Sequence, residues 1–461
     1  MHASSPERRT EALMWMAFAV VVCYANALTG DFLFDDYNVI VNNPGVHSWA
    51  SWAEGLSLGI RPLLKFSYTL NWTMGTGVSG FHLTNLLIHL LNVYLVYRLT
   101  QAFVRHQRQA GSLRNVPLLA ALLFAVHPIH TEAITYVCGR SSSLMTLFYL
   151  AGLFSYVGGR MQPSKVKVYC LTPLCFMLAL SVKETAVTFP LALLLWELCC
   201  GGRWQRALSP QWPTWLVLLV GALIFLFSES YLSQMERSVQ LNSLPGNVAT
   251  QLYAFAYLLR QWALPVWLNI DPDLPLKNDF SGSLLPLFFF VALLVLVLAC
   301  WRRRPWISFA LAWMMVQVIP LHLFLPRIDI ANDRQMYLAG WPLCIAAGIE
   351  LTLGLSTKAL RQVATLVLLV LGSLTLVRNQ VYSNEVGLWE DTARKSPNKA
   401  RVHNNLGYAY LLSKRQGEAR QEFKLALQLD PNLYQARYNL DRLVDEVNSA
   451  ADKNEKAMSR P

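Results

Sequence analysis

Two adjacent carboxylates, Asp35 and Asp36, follow the first apolar stretch of the chain, in the segment GDFLFDDYNVIVNNPGVHS (residues 30–48). Neighbouring negative charges repel each other, and an apolar surface nearby makes it harder to ionise both groups. The pair is therefore either a solvated turn or helix cap, or a pair of acids held at the edge of a membrane for chemistry. These residues on their own leave both interpretations open.

Further ionisable residues lie beside the ends of other apolar stretches. Such a side chain costs roughly 2.5–3.5 kcal/mol at the centre of a bilayer on insertion scales, so its position is informative. With the topology predicted below, all of them fall on the outer side, where a cavity lined by both signs would use them all. They are His127, His130, Glu132 and Arg140 in HPIHTEAITYVCGR, Lys183 and Glu184 in VKET, Asp271 and Asp273 in LNIDPDLP, and Asp333 and Arg334 in NDRQMY.

Each of these residues also has a simpler explanation. HPIHTE superficially resembles the zinc pattern HExxH, but its spacing is wrong for one helical face and Pro128 interrupts it. The eight cysteines are scattered without CxxC or metal-ligand spacing, which predicts no disulfide framework. Lys183 and Glu184 could form a plain ion pair, and Arg334 could extend from its helix end towards the surface. It is the convergence of these residues on one side that favours a site.

The stretches that must position these residues are those of a polytopic membrane protein. Of the 461 residues, 54% are hydrophobic and 15% charged, whereas soluble proteins carry about 25% charged residues. A crossing helix needs roughly 20 apolar residues, and the pattern predicts about eleven crossings with a cytoplasmic N-terminus. The predicted spans are 13–29, 81–103, 116–130, 142–160, 166–182, 185–201, 212–229, 284–300, 306–325, 336–355 and 359–377.

The orientation of these spans follows from the basic residues. The formal net charge is +11, but the basic residues gather in short loops such as WRRRPW, which is the positive-inside signal rather than a nucleic-acid surface. Counting 247–270 as a crossing would put that loop outside, so this segment is predicted to be an interfacial or re-entrant helix on the outer face. The shorter segment 61–72 is predicted to lie flat on the same surface.

Polar, helix-prone sequence follows residue 378 and contains a repeat. The stretch HNNLGYAYLLSKRQGEARQEFKLALQLDP matches the tetratricopeptide pattern, which has small residues where two helices touch. The matching residues are Leu406, Gly407, Tyr410, Ala419, Phe423, Ala426 and Pro431. The predicted organisation is therefore an all-α chain: a membrane helical bundle over 1–378, a short tetratricopeptide solenoid over 379–447, and a disordered tail over 448–461.

Taken in order, the motifs resemble a known family. FLFDDYNVIVNNPGV, RPLLKFSYTLNW, FHLTNLLIHLLN, KETAVTFPLALLLWEL, LNIDPDLPL and NDRQMYLAGWPL occur as in the TMTC-type proteins, which are transmembrane and tetratricopeptide repeat-containing O-glycosyltransferases. The wider class is the GT-C superfamily of membrane glycosyltransferases. The resemblance implies a GT-C fold and transfer of a sugar, with inversion, from a polyprenyl-phosphate carrier to a hydroxyl acceptor, expected to be Ser or Thr of a protein.

The resemblance also implies roles for the charged residues. Asp35 would act as the base and Asp36 would orient it or hold a divalent cation, Mg²⁺ or Mn²⁺. The cations expected at the donor phosphate are Lys183, Arg140, Arg334 and Arg61. The residues expected to line the cavity or contact the acceptor are His127, His130, Glu132, Glu184, Asp271 and Asp333.

This chain departs from the eukaryotic members in having far fewer repeats, and CGRSSSL has Ser where many relatives carry Asp after the Arg. The compact loops and short repeat region are typical of bacterial relatives, which places the expected site and repeats on the periplasmic side of the inner membrane, with a protein acceptor bound through the repeats. Two alternatives stay open. One is a transporter or flippase for a lipid-linked substrate, which would need charges near mid-membrane and broken helices. The other is a GT-C enzyme that modifies a lipid or glycan.

Overall fold

The computed structural model describes residues 6–56, 60–107, 110–200, 208–227, 232–233, 243–277, 279–280, 282–324 and 329–445. Within these ranges the chain consists of helices and turns without a β-strand, so the predicted all-α class is confirmed. The chain divides into two compact units. Unit 1 comprises Met1–Leu268 and Leu274–Gln380, and unit 2 comprises Asn269–Asp273 and Val381–Pro461.

Unit 1 is a bundle of α-helices of very different lengths. They are α1 (Pro6–Tyr24), α2 (Trp49–Glu54), α3 (Pro62–Thr73), α4 (Gly77–Arg105), α5 (Val116–Val126), α6 (Thr131–Ile134), α7 (Arg140–Met161), α8 (Thr172–Val182), α9 (Phe189–Cys199), α10 (Trp212–Phe227), α11 (Leu244–Ala263), α12 (Leu284–Cys300), α13 (Pro305–Phe324), α14 (Met336–Ala339), α15 (Trp341–Gly354) and α16 (Thr357–Val381).

Fewer helices are span-length than the eleven crossings predicted from roughly 20-residue apolar stretches. Among the described residues, four helices are long and apolar enough: Arg9–Thr29, Gly77–Arg105, Val137–Met161 and Thr357–Val381. Two bent pairs raise the number to six if each is one span. The first bends by 52° between Val126 and Pro128, and the second by 63° between Ala339 and Trp341. Lys167–Val182, Ser209–Ile224, Leu284–Cys300 and Pro305–Pro320 are apolar but shorter.

Helix α4 lies at the centre of unit 1, where it packs against α5 and α7. Asn85, His89 and Asn92 follow each other at intervals of four and three residues, which puts them on one helix face. All three are buried, and they bind the backbone oxygens of Ile134, Ala125 and Ser143, respectively. A buried amide or imidazole costs free energy unless it is hydrogen-bonded, so this polar face holds the irregular 125–143 stretch in place.

Unit 2 contains the predicted repeat. Its helices are α17 (Glu385–Lys395), α18 (Ala400–Leu412), α19 (Gln416–Leu429) and a last described helix at 434–445. Helices α18 and α19 pack closely because Gly407 faces Phe423, where an added Cβ would lie 2.7 Å from the ring. The predicted boundary at 378/379 lies close to the start of this unit at Val381, whereas the predicted tail 448–461 lies outside the described residues.

A short piece of the earlier chain belongs to unit 2 as well. Asp271 accepts hydrogen bonds from Lys399 Nζ at 2.6 Å and from Arg401 Nε at 2.9 Å, and Asn269 Nδ2 donates to Ser396 Oγ at 2.8 Å. Asp271 is 3% exposed, so both basic side chains offset the cost of burying its charge. Its carboxylate therefore serves unit 2 and is not among the groups that unit 1 brings together.

Candidate active site

The opening pair of carboxylates lies in a tight turn that one of them holds closed. The Leu33 N–H donates to Asp36 Oδ2 at 2.9 Å, and the Asp36 N–H donates back to the Leu33 carbonyl at 2.8 Å. Asp36 Oδ1 accepts the Cys138 N–H at 2.8 Å. Asp36 is fully buried, and its carboxylate joins the 33–36 turn to the start of the 137–161 helix. Phe34 completes the turn with φ 42, a value that is uncommon for a bulky residue.

Burial dominates the electrostatics of Asp36. Desolvation raises the pKa of Asp36 from 3.8 to about 7, although hydrogen bonds from the Cys138 thiol and from the Leu33 and Cys138 N–H groups favour the ionised form. Each carboxylate oxygen of Asp36 accepts one backbone N–H group, and a divalent cation at Asp36 stays a prediction. Among the described residues, no three or more His, Cys, Asp or Glu side chains are grouped to hold a metal ion.

Asp35 is placed differently from its neighbour. Its side chain is only half-buried, and its N–H donates to the Tyr136 hydroxyl at 3.0 Å. Its charge acts on both Tyr136 and Arg334. Asp36 thus fixes the turn, while Asp35 presents a partly accessible carboxylate whose charge acts on Arg334.

Arg334 and Lys183, both predicted to bind phosphate, line the same cavity. Arg334 is held by Glu132, whose Oε2 accepts the Arg334 N–H at 3.0 Å and whose Oε1 lies 3.3 Å from Arg334 Nε. Lys183 Nζ donates to Ser142 Oγ at 2.8 Å. The cavity measures about 40 Å³ and is also lined by Gln317. Residues from α7, the α8–α9 connection, α13 and the 332–338 stretch therefore meet in one polar cavity.

Arg61 and Glu184 form a pair beside this cavity rather than in its wall. Arg61 Nε and Nη2 donate to the two oxygens of Glu184 at 3.0 and 2.7 Å. Arg61 is the residue before α3 and has φ 57. The bidentate geometry is the stronger form of such pairs, and since Glu184 follows Lys183, it connects α3 to the segment that carries the lysine.

Arg140, the remaining predicted phosphate ligand, is fully buried and committed to protein groups. Its Nε donates to Asn85 Oδ1 at 2.6 Å, and its two terminal nitrogens donate to the carbonyls of Ser67 and Phe81. The guanidinium also lies 5.0 Å from the Tyr68 ring centre. Arg140 therefore joins α3, α4 and α7, and it does not line the cavity with Lys183.

The two histidines are buried among backbone groups and aromatic rings. His127 Nε2 lies 3.0 Å from the Trp262 carbonyl and its ring stacks on that indole. His130 Nδ1 lies 2.9 Å from the Phe124 carbonyl. Neither histidine lines the cavity.

Asp333 is also buried, and its Oδ2 lies 3.9 Å from Arg378 Nη2. Asp333 precedes Arg334 in the sequence but belongs to this separate ion pair.

Several neutral residues of the cavity were not singled out from the sequence. They are Ser142, Thr146, Thr185, Gln317, Asn332 and Gln335. Polar residues such as these are common in loops and helix ends, so their type carries little signal. Tyr136 was also missed. It directly follows HPIHTEAIT in the sequence, and its hydroxyl accepts the Asp35 N–H.

Comparison with known proteins agrees with this architecture. The family model "Tetratricopeptide repeat" matches residues 400–433. "Protein O-mannosyl-transferase F38B6.6" of Caenorhabditis elegans is 25% identical over 90% of this chain and 62% of its own length. Human "Protein O-mannosyl-transferase TMTC3" is 25% identical over 95% of this chain and 53% of its own length. For human "Protein O-mannosyl-transferase TMTC1" the values are 26%, 94% and 57%.

No solved structure matches the chain. The chain spans between 53% and 62% of the length of these three relatives. Over at least nine-tenths of its length, this chain is therefore similar to the TMTC-type protein O-mannosyl-transferases, and the resemblance carried by its motifs is confirmed.

Proposed function

We propose that this protein is an integral membrane glycosyltransferase of the GT-C type. It transfers a sugar from a polyprenyl-phosphate carrier to the hydroxyl of Ser or Thr in an acceptor protein. The names of these relatives support a protein acceptor and favour mannose as the sugar. The observation that carries the proposal is a cavity lined by Lys183 and Arg334, with the half-buried Asp35 carboxylate near enough for its charge to act on Arg334.

The proposed chemistry is a single displacement. The acceptor hydroxyl gives its proton to the Asp35 carboxylate while its oxygen attacks the anomeric carbon of the sugar. The bond between that carbon and the phosphate oxygen breaks, and the polyprenyl phosphate leaves with the electron pair. Attack from the opposite face inverts the anomeric centre. Positively charged groups placed where charge develops stabilise such a transition state, which is the role of Lys183 and Arg334.

The other charged residues would position these groups. Asp36 holds the Asp35 turn against the Cys138 N–H, and Glu132 fixes Arg334 through its backbone and side chain. Glu184, paired with Arg61, anchors the segment that carries Lys183. We derive no step through a divalent cation.

The setting we propose is the bacterial inner membrane, with the site and the repeats facing the periplasm. The two bent pairs, the four shorter apolar helices and α9 (Phe189–Cys199) would supply the further crossings, to make the eleven that the loop charges predict. Tyr434 is 72% exposed in unit 2 and reports this orientation. A Tyr434→Cys variant without native cysteines should react with an impermeant maleimide in intact spheroplasts. Reaction only after lysis would contradict the periplasmic placement.

The function is tested by reconstitution of the full chain with a polyprenyl-phosphate mannose donor and a Ser/Thr-rich peptide. Mass spectrometry should show a peptide that carries one hexose. Asp31→Asn alters an exposed acid in the loop that carries Asp35. It is the matched control for Asp35→Asn and should keep the wild-type rate. Movement of the donor across the bilayer without a glycosylated peptide would contradict transfer and favour the flippase alternative.

A further inference from the structure

Three neutral side chains of the Lys183–Arg334 cavity have polar atoms with unmet hydrogen bonds. They are Thr146 Oγ1, Thr185 Oγ1 and Asn332 Oδ1, and none has a hydrogen-bond partner among the described residues. Thr146 is fully buried and Asn332 is 6% exposed. All three residues line the cavity.

Two other neutral residues of the cavity, Ser142 and Gln317, form hydrogen bonds within the protein. Ser142 Oγ accepts from Lys183 Nζ. Gln317 donates to the Tyr149 hydroxyl at 2.8 Å and accepts from Thr188 Oγ1 at 2.8 Å. A buried polar group without a partner costs about 1–3 kcal/mol, so a ligand that supplies the missing hydrogen bond removes that cost when it binds. Three in one cavity, next to two cations, indicate a site built for a polar ligand.

We propose that Thr146, Thr185 and Asn332 form a subsite for the hydroxyl groups of the donor sugar, next to the phosphate site of Lys183 and Arg334. This inference rests on the proposed function. Threonine hydroxyls both donate and accept, whereas the Asn332 carboxamide oxygen accepts from a sugar hydroxyl. Met145 and Leu338 supply an apolar wall against which the C–H face of a hexose packs.

The size of the cavity sets one condition. At about 40 Å³, it holds little more than one or two water molecules. A hexose is larger, so the lining side chains separate when the donor binds. The three polar atoms without a partner then form hydrogen bonds to the sugar. The added binding free energy is therefore specific to a ligand that carries hydroxyl groups.

The test compares two lipids that share the phosphate. The full chain in nanodiscs is titrated with undecaprenyl-phosphate mannose and with undecaprenyl phosphate. Thr146→Val and Thr185→Val keep the side-chain shape and remove the hydroxyl. Each should weaken binding of the mannose lipid by about 2- to 12-fold, the effect of one net hydrogen bond, and leave binding of the bare phosphate lipid unchanged. Thr100→Val is the matched control, because the Thr100 hydroxyl is buried but bound to the Val96 carbonyl.

Stability without ligand separates this role from a structural one. If the Thr146 hydroxyl has no protein partner, Thr146→Val leaves the unfolding temperature of the ligand-free protein unchanged or raises it. A lower unfolding temperature than that of Thr100→Val would overturn the subsite. Equal losses for both lipids, or no loss for the mannose lipid, would overturn it while phosphate binding and transfer stand. A wild-type protein that binds neither lipid would overturn the proposed function and the subsite together.

Discussion

Asp36→Asn should loosen the turn that presents Asp35. The carboxylate of Asp36 accepts the Leu33 and Cys138 N–H groups on separate oxygens. The carboxamide of Asn has one acceptor oxygen, so its NH₂ group must face one of these two donors. One buried backbone N–H then loses its partner and meets another donor. We expect the contact between the 33–36 turn and the start of the 137–161 helix to open more often.

The magnitude follows from that single lost acceptor. A buried donor left without a partner costs about 1–3 kcal/mol, and each 1.4 kcal/mol is a factor of ten in an equilibrium. Local opening should therefore become about 5- to 140-fold more frequent. Cys138, which is 7% exposed, reports this opening because its thiol reacts only when the contact is broken.

The assay measures how fast a maleimide labels Cys138 when the other cysteines have been replaced. Rates are measured at pH 8 and normalised to the rate in denatured protein. Asp31→Asn, the exposed acid of the same loop, should label as slowly as the wild type. If Asp36→Asn also labels at the wild-type rate, Asp36 does not hold the two segments together and the reasoning is refuted.

Three further predictions concern charge. Glu132→Gln removes the buried carboxylate that pairs with the partly buried Arg334 and should cost about 3–5 kcal/mol of unfolding free energy. Glu350→Gln at an exposed pair should cost less than about 1 kcal/mol, and equal thermal shifts would contradict this. Burial raises the pKa of Asp36 to about 7, so the folded state binds a proton that the unfolded state has lost, and stability falls as pH rises from about 4 to about 7. Asp36→Asn should flatten that slope in thermal unfolding, and an unchanged slope would exclude Asp36 as its source. Glu422 and the Pro397 carbonyl raise the pKa of His403. Protonated His403 therefore stabilises the fold fully below about pH 6.5, and this stabilisation is lost as pH rises through the raised pKa. Over that pH range, hydrogen exchange in α18, corrected for intrinsic rates, should increase in the wild type but not in His403→Gln.

The residues of the cavity could be predicted in part, because charge beside an apolar stretch is rare and expensive. That reasoning singled out Lys183 and Arg334, which line one cavity in the structure. Their role in phosphate binding stays a prediction. It also singled out Arg140, whose guanidinium turns away to Asn85 and two carbonyls. The position of a residue along a membrane helix predicts how deep its side chain lies in the membrane, but not which neighbouring groups that side chain binds.

The number of membrane crossings was harder to predict, because a hydropathy profile does not show where the backbone of a helix is interrupted. The apolar stretch around His127 reads as one span, yet Pro128 lacks an N–H and the chain bends by 52° there. In the described part of the predicted span 185–201, a 3-10 helix, Glu184–Thr188, precedes an α-helix of eleven residues, Phe189–Cys199. Hydropathy averages over such breaks, which arise from backbone hydrogen bonding.

The placement of Asp271 depended on contacts that are remote in sequence. DPD between apolar segments reads as an outer loop, but Asp271 pairs with Lys399 and Arg401, well over one hundred residues later. The repeat was easier to predict, since Gly407 and Phe423 touch within one hairpin and the pattern is local. Thr146, Thr185 and Asn332 carry no charge and form no motif, so only their unmet hydrogen bonds in the folded chain identify them.

The most direct test of the central claim is the initial rate of sugar transfer by purified Asp35→Asn, at a donor concentration that saturates the wild-type protein. The carboxamide keeps the size of the side chain but cannot take the proton of the acceptor hydroxyl. Positioned general bases contribute about 10²–10⁴-fold, so the rate should fall by at least 10²-fold while donor affinity and thermal stability stay at wild-type values. A near-normal rate in Asp35→Asn would contradict the assignment of Asp35 as the base.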